Sequence, residues 1–282
     1  MCPEARRRRD PRASRLRGQA RATHPRGVGG QSYARRVVDP GHFERLASIY
    51  ADARPPYPPQ LWDALRRAGH LVPGRRVLEL GAGTGQATGP LLAAGLHVTA
   101  VEPGPRLADR LRAGHPGAAV VVARAEDVDL GDDAFDLVVA ATSIHWLDLD
   151  VVLPKVHRAM RAGGAFLVWR NVYGDPSVRT PFRERVEAIV RAGERPPRPA
   201  DHAEDVDVTV AELTRPGLFR ADEVATFRWT VDLDADQVRR LFTTFSDWTP
   251  QEADEAARAV VELGGTVTEH YQSWLVALRP TA

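Results

Sequence analysis

Residues 77–85 read VLELGAGTG, a short apolar run that passes directly into a stretch in which every second residue is glycine. Val77, Leu78 and Leu80 are typical of a strand buried in the core. Glycines after such a strand let the backbone turn tightly and approach a ligand, because no Cβ stands in the way. Amide groups at the start of the following helix then face that ligand. The sequence therefore predicts a nucleotide-type binding loop at the carboxyl end of a strand.

The spacing of the glycines discriminates between nucleotide ligands. A dinucleotide fingerprint, G-x-G-x-x-G, needs its last glycine at the position that Gln86 occupies. The order found is E-x-G-x-G-x-G, with Glu79 two residues before Gly81. Glu102 ends the next apolar run, and a carboxylate at that place accepts hydrogen bonds from both hydroxyls of a ribose. The pattern thus favours an adenosine ligand over NAD.

Strands and helices alternate on both sides of this loop. The predicted strands are 76–80, 97–101, 119–123, 135–141 and 164–169, and helices are predicted from Pro58 to Gly69 and at 84–94, 104–113 and 150–161. Beyond residue 169 we expect an amphipathic helix around 182–190, a loop at 193–208, a strand at 223–232, helices at 234–245 and 250–263, and a last strand at 266–278. Alternating helices and near-continuous apolar strands imply a parallel sheet covered on both faces, an α/β doubly wound fold.

Composition excludes several classes of protein. The 282 residues have a mean hydropathy of −0.31, and no apolar run approaches the roughly 20 residues of a membrane helix. The single cysteine, Cys2, excludes a disulfide framework within the chain and any cysteine-rich zinc site. The nine histidines form no H-E-x-x-H or comparable set, so no metal is expected. We expect a cytoplasmic enzyme that has no membrane association.

The charge is distributed unevenly. Residues 1–36 contain eleven arginines and two acidic residues, whereas the other 246 residues contain 27 basic and 35 acidic side chains. We therefore interpret residues 1–40 as a disordered arginine-rich arm and 41–282 as one domain. The arm is interpreted as a functionless tail, a polyanion-binding tail or a targeting peptide. The acidic body argues against nucleic-acid binding, which the arm leaves open.

Several motifs in order resemble those of class I S-adenosylmethionine-dependent methyltransferases. They are Glu79 to Gly85, Glu102, A-E-D-V at 125–128 and F-D-L-V at 135–138. The stretches 50–59 and 144–148 (IHWLD) resemble the small-molecule branch that includes trans-aconitate methyltransferase-like proteins. This resemblance implies a Rossmann-like seven-stranded sheet whose last strand runs antiparallel beside the fifth. It also implies S-adenosyl-L-methionine as cofactor and methyl transfer to a small organic acceptor by in-line displacement.

The resemblance also implies a cofactor site drawn from several parts of the chain. Its members would be Tyr50, Arg54, Glu79, Gly81, Ala82, Gly83, Glu102, Arg124, Ala125, Glu126, Ala141 and Thr142. Glu102 would hold the ribose, and Glu79 would engage the amino group of the methionine end directly or through water. Residues 124–126 lie where the family contacts adenine. Tyr50 and Arg54 would close the pocket, and Ala141 or Thr142 would contact the methionyl or sulfonium region.

The acceptor side is less specified. A general base is needed only for a hydroxyl, a thiol or a protonated amine, and His145, after the fourth strand, is the candidate. Alternatively, His145 has a structural role beside Trp146, which itself lines the acceptor pocket or belongs to the core. A carboxylate acceptor needs no base, and Arg170 or Arg179 would then anchor it. Residues 172–215 are predicted to form a lid, or else a surface insertion.

Two other functions remain open from the sequence. One is methylation of RNA that the arginine-rich arm would bind, and the other is regulation by an S-adenosylmethionine-binding protein without catalysis. DNA amino-group methylases typically carry [DN]-P-P-[YFW] after the fourth strand, whereas residues 141–144 read ATSI. The sequence does not define the oligomeric state.

Overall fold

The fold is a seven-stranded sheet with helices on both faces. A computed structural model of the chain describes residues 53–193, 204–245 and 247–281. The strands are β1 (Arg76–Leu80), β2 (His97–Val101), β3 (Ala119–Val121), β4 (Phe135–Ala141), β5 (Met160–Tyr173), β6 (Phe219–Asp234) and β7 (Thr266–Pro280). Their order in the sheet is β3-β2-β1-β4-β5-β7-β6.

The described helices have clear start signals in the sequence. They are α1 (Pro59–Arg67), α2 (Thr88–Ala93), α3 (Pro105–Gly114), α4 (Leu149–Ala159), α5 (Pro181–Ala192), α6 (Val206–Thr214), α7 (Ala235–Thr243) and α8 (Pro250–Glu262), with a 3₁₀ turn at Ile144–Trp146. Proline stands in the first turn of α1, α3, α5 and α8, where its missing N–H costs no hydrogen bond. Asp234 and Thr249 form capping boxes at the starts of α7 and α8.

The strand directions confirm the predicted class of fold. Strands β1 to β5 pair in parallel, and β7 runs antiparallel to both β5 and β6. Strand β1 lies between β2 and β4, so the chain order of the strands reverses at the carboxyl end of β1. Open α/β sheets bind ligands in the crevice at this point. The fold therefore puts the glycine-rich loop where a ligand is expected.

Apolar side chains cover both faces of the sheet. One face carries Phe166, Val168 and Val276 under α4 and α6, and the other packs Trp169 against Trp62 of α1 with ring centroids 5.7 Å apart. A third cluster, formed by α5, α7 and α8, covers the far end of β6 and β7. Among the described helices, none is both long and apolar enough to span a bilayer.

Several element boundaries differ from those predicted. Strands β5, β6 and β7 all extend past the predicted bounds, because antiparallel pairing continues from Phe219↔Pro280 to Asp234↔Thr266 and carries β5 on to Tyr173. Strand β3 ends earlier, at Val121. The helix predicted from residue 84 begins at Thr88, since Gly85 has a φ of +99° and still belongs to the loop. Helix α6, which starts inside the predicted loop 193–208, was missed. The arginine-rich arm lies outside the described residues.

Candidate functional site

The glycine-rich loop packs too tightly for any other residue at two of its positions. Gly81 has a φ of +67°, and a Cβ there would stand 2.7 Å from Cβ of Ser143. A Cβ on Gly85, whose φ is +99°, would collide with the imidazole of His115. Positive φ at both positions already favours glycine. The loop therefore lies directly against the chain that follows β4 and against the end of α3.

Glu102 connects this loop to the end of β2. Its Oε2 accepts a hydrogen bond from the amide of Gly83 (2.8 Å), and its Oε1 accepts one from the amide of Gly104 (2.9 Å). Only 5% of the residue is exposed. The residue predicted to hold a ribose thus lies at the switch point beside the loop.

Glu79 lies inside the protein behind the loop. The residue is 1% exposed, and its Oε2 accepts a hydrogen bond of 2.6 Å from the hydroxyl of Thr88. Burial raises the pKa of Glu79 to about 8, and the nearby carboxylate of Glu102 adds to that increase. In this state Glu79 is mainly protonated at neutral pH. Thr88 lies nine residues after Glu79 in the chain, and the sequence analysis assigned it no role.

Residues 124–126 are held in place from the neighbouring helix. The ammonium group of Lys155 donates to the carbonyl oxygens of Ala125 (3.0 Å) and Glu126 (2.8 Å). The carboxylate of Glu126 accepts from the amide of Asp148 (2.8 Å) and lies 3.4 Å from Arg124. Burial acts to raise the pKa of Glu126, but these partners outweigh it and lower the pKa. The predicted adenine segment is therefore fixed to the start of α4.

The chain leaves β4 through a strained residue. Thr142 has a φ of +57°, which is uncommon for a β-branched residue. Its amide donates to the carbonyl of Trp169 (2.7 Å), and its hydroxyl shares a hydrogen bond of 3.0 Å with the hydroxyl of Tyr57. Ser143 donates from Oγ to the carbonyl of Leu80 at 2.5 Å. Such strain persists only where the surroundings impose it, and it concentrates at functional sites.

Two of the predicted acceptor residues, His145 and Trp146, lie next to this turn. His145 and Trp146 form the 3₁₀ turn with ring centroids 4.5 Å apart, and Trp146 is 43% exposed, so it does not belong to the core. The side chain of Arg170 is 12% exposed and lies 3.9 Å from Glu204. Arg179 is well exposed and lies beside acidic residues of α5.

The side chain of Arg54 lies against the segment that follows α7. Its Nη2 donates to the carbonyl of Thr244 (3.1 Å), and its guanidinium lies 4.5 Å from the centroid of the Phe245 ring. These partners follow α7, beside β7. Tyr50 lies outside the described residues.

The structure brings most of the predicted cofactor residues to one edge of the sheet. Glu79, Gly81, Glu102 and Ala141 follow or end β1, β2 and β4, and 124–126 follow β3. Sequence reasoning gave no role to Tyr57, Thr88 or Ser143. Each makes a side-chain hydrogen bond to a residue at least nine positions away in the sequence, so no local pattern identified it. Among the described residues, no group of three or more His, Cys, Asp or Glu side chains could hold a metal ion.

Comparison with known proteins gives consistent similarities. Residues 78–168 match the family model described as a methyltransferase domain. An uncharacterized methyltransferase of Mycobacterium tuberculosis is 41% identical over 130 residues, which are 46% of this chain and 52% of that protein. An uncharacterized methyltransferase-like protein of Schizosaccharomyces pombe is 30% identical over 155 residues, 54% of this chain and 59% of that protein. The chain spans about half the length of the curated relatives it matches.

The fold has a similar solved structure. A putative type II methyltransferase from Anaeromyxobacter dehalogenans superimposes with a TM-score of 0.58 and 27% identity, covering 79% of this chain and 97% of that one. The seven-stranded mixed sheet is therefore a Rossmann-like fold of the methyltransferase kind. Both the sequence and the fold of the chain are similar to those of proteins named as methyltransferases.

Proposed function

We propose that the chain is a class I S-adenosylmethionine-dependent methyltransferase that acts on a small organic acceptor, with its catalytic domain at residues 41–282. The observation that carries this proposal is the position of Glu102. Its carboxylate joins the amide of Gly83 to that of Gly104 at the switch point of the sheet. An acidic residue at this place in the sheet is suited to the two hydroxyls of a ribose.

The shape of the loop fits the cofactor. With glycine at 81 and 83, the backbone can pass beneath a ligand without a side chain between them. Glu102 would accept from the ribose, and residues 124–126 would contact the adenine. Glu79, buried and mainly protonated here, would lie near the amino group of the methionine end and become ionised beside that cation.

The chemistry requires positioning more than reactive side chains. When bound, the cofactor supplies a methyl group that is already electrophilic because it is carried on a sulfonium. The chain's part is to hold the acceptor atom in line with that methyl and to exclude water, effects that supply roughly 7–11 kcal/mol in well-oriented systems. Thr142, fixed to Tyr57 and Trp169, gives a rigid wall at that point. His145 would take up the proton if the acceptor is a hydroxyl.

Titration calorimetry with S-adenosylmethionine tests this function. Wild-type protein is expected to bind it, and Glu102→Ala is expected to weaken the affinity at least about tenfold, because hydrogen bonds to a charged group contribute roughly 1.5–3 kcal/mol. Glu223→Ala, on the exposed part of β6, is the matched control and should leave the affinity unchanged. Absence of heat with the wild type, or full affinity in Glu102→Ala, would contradict the proposal.

A further inference from the structure

Two buried polar side chains, Glu269 and Tyr271, meet the partly buried Tyr173 at the carboxyl end of β5. Tyr173, its last residue, pairs with Tyr271 of β7, and the two ring centroids are 5.4 Å apart. Glu269 lies two residues before Tyr271 on the same face of β7 and is 0% exposed. Within the described residues, neither oxygen of Glu269 and neither tyrosine hydroxyl makes a hydrogen bond of standard geometry, although the hydroxyl of Tyr173 lies close enough to Glu269 to lower its pKa. Buried polar groups of this kind usually have a partner, which is a protein group, an ordered water, an ion or a ligand.

The charged neighbour of Glu269 does not satisfy it. Nη1 of Arg183 is 3.6 Å from the carboxylate, whereas charge-assisted N–H···O bonds are usually about 2.7–2.9 Å. The same guanidinium lies over the ring of Tyr173, 4.8 Å from its centroid. Burial raises the pKa of Glu269 to about 6, although Arg183 and the hydroxyl of Tyr173 act in the opposite direction. Glu269 is therefore mainly ionised near pH 7.5, and it accepts no hydrogen bond of ordinary length from Arg183.

Aromatic rings enclose these polar groups. The ring centroids of Phe242 and Phe245 each lie 5.3 Å from that of Tyr173. The ring of Trp248 packs against that of Phe242, with centroids 4.1 Å apart. Tyr271 also lines a cavity of about 300 Å³, the lower end of the range for small-molecule sites. We call Glu269, Tyr173 and Tyr271 the polar cluster. It combines an apolar wall with a carboxylate and two hydroxyls, and one of its members, Tyr271, borders the cavity.

Strand β5 runs from the candidate cofactor site to the polar cluster. Tyr57, bonded to Thr142, packs on Trp169 with ring centroids 5.8 Å apart. Asn171 lies two residues farther along β5 on the same face, and its side-chain oxygen accepts a hydrogen bond of 2.6 Å from the hydroxyl of Ser273. Tyr173 is four residues beyond Trp169, which pairs with Ala141 at the end of β4. At about 3.3 Å per residue, the four residues from Trp169 to Tyr173 span about 13 Å.

We propose that the polar cluster is the recognition end of the acceptor site and takes a small molecule that has an apolar body and a hydrogen-bond-donating hydroxyl or amino group. An ionised carboxylate only accepts hydrogen bonds, so it requires N–H or O–H donors from the ligand. The tyrosine hydroxyls can donate to the same ligand group or accept from it. A site that is built to bond such a group rejects analogues lacking it, because its own polar atoms then stay unsatisfied. This inference rests on the proposed methyltransferase function.

The test uses matched probes with and without the donor. Binding of 4-ethylphenol is compared with that of 4-ethylanisole, and binding of 4-ethylbenzylamine with that of 4-ethyltoluene, by ligand-observed NMR in the presence of S-adenosylhomocysteine. Wild-type protein is expected to prefer the donor-bearing member of at least one pair about tenfold or more. The two pairs distinguish a hydroxyl from an amine. Equal binding within both pairs, or binding of no probe at all, overturns the inference.

Variants then assign the preference to the polar cluster. Glu269→Gln and Tyr271→Phe should each reduce the preference at least about threefold, and Glu223→Gln on exposed β6 should leave it intact. The conservative Tyr271→Phe variant retains the test if Glu269→Gln fails to fold. Affinity for S-adenosylhomocysteine should stay unchanged in all variants. If the wild type does not bind S-adenosylhomocysteine, the proposed function fails; if it does and the preference survives in both cluster variants, this inference alone fails.

Discussion

Glu79 shows how a single buried carboxyl group couples stability to pH. Burial is the largest cause of the increase in its pKa from 4.5 to about 8, the hydroxyl of Thr88 acts against it, and Glu102 adds to it. Between these two values the folded protein binds more protons at Glu79 than the unfolded chain does. The free energy of unfolding therefore falls as the pH rises from about 4.5 to about 8, and this contribution is constant outside that window.

Replacement of this group should remove its part of the pH dependence. Without cofactor, Glu79→Gln is expected to be nearly as stable as the wild type at pH 5 and more stable, by an amount on the order of a few kcal/mol, at pH 8. The amide keeps an oxygen that can accept from Thr88. Urea denaturation of both proteins at pH 5, 6.5 and 8 measures the difference. A difference that is the same at all three values would show that Glu79 ionises normally in the folded state.

Individual residues also show where sequence-based inference ends. Thr142 was identified through a family resemblance, but no local pattern predicts its φ of +57° or its bond to Tyr57, 85 residues away. Glu102 was identified by its place after a strand, and its backbone partners at Gly83 and Gly104 follow directly from that place. Residues whose geometry is set by their own strand or loop are predictable. Residues whose geometry is set by a distant segment are not.

At the scale of elements, the glycine-rich loop is the part whose fit to its surroundings matters most. Gly81 has positive φ and a close neighbour in Ser143, whereas Gly83 has a similar φ of +59° but only a distant Gln86 side chain at 3.9 Å. The two positions thus separate backbone strain from packing. Left-handed backbone costs an ordinary residue about 1–2 kcal/mol, and overpacking typically adds about 1–3 kcal/mol.

Alanine at the two glycines should therefore differ in effect. Gly81→Ala is expected to lower the free energy of unfolding by about 2–5 kcal/mol, and Gly83→Ala by about 1–2 kcal/mol. Chemical denaturation without cofactor isolates stability from binding. Equal losses in the two variants would mean that the loop moves away from Ser143 at little cost.

The strands show a different limit of prediction. The bounds of β1, β2 and β4 agree with their apolar runs, because these strands are buried on both faces. Strand β6 is exposed at many positions and carries Arg220, Asp222 and Glu223, so its first residues lack an apolar signal. Charges on such an edge strand oppose pairing with other chains. The extension of β5 to Tyr173, a member of the polar cluster, depends on pairing with β7. It was missed because the local sequence of β5 gives no signal of that pairing.

At the scale of the whole molecule, strand order and ligand edge follow from the pattern of alternation, whereas the acceptor end does not. The cofactor residues lie at the ends of successive strands, so chain order predicts their meeting. The polar cluster and its walls come from β5, α7 and β7, which are separated by up to about a hundred residues and carry no shared motif. Only the three-dimensional arrangement brings Glu269 next to Tyr173.

The charge distribution of the whole chain leads to the last prediction. Residues 1–36 have a net charge of +9, and the remaining residues have a net charge of −8. Polyanion affinity arises from released counterions, so single-stranded RNA should bind the full chain with a log–log salt slope no steeper than about −8, the limit if all eleven arginines contact phosphates. Deletion of residues 1–36 should abolish this binding and leave the affinity for S-adenosylmethionine unchanged. Fluorescence anisotropy with an RNA oligonucleotide at several salt concentrations measures the slope. Equal RNA binding by the full and truncated chains would place the polyanion site on the acidic body, against its overall charge.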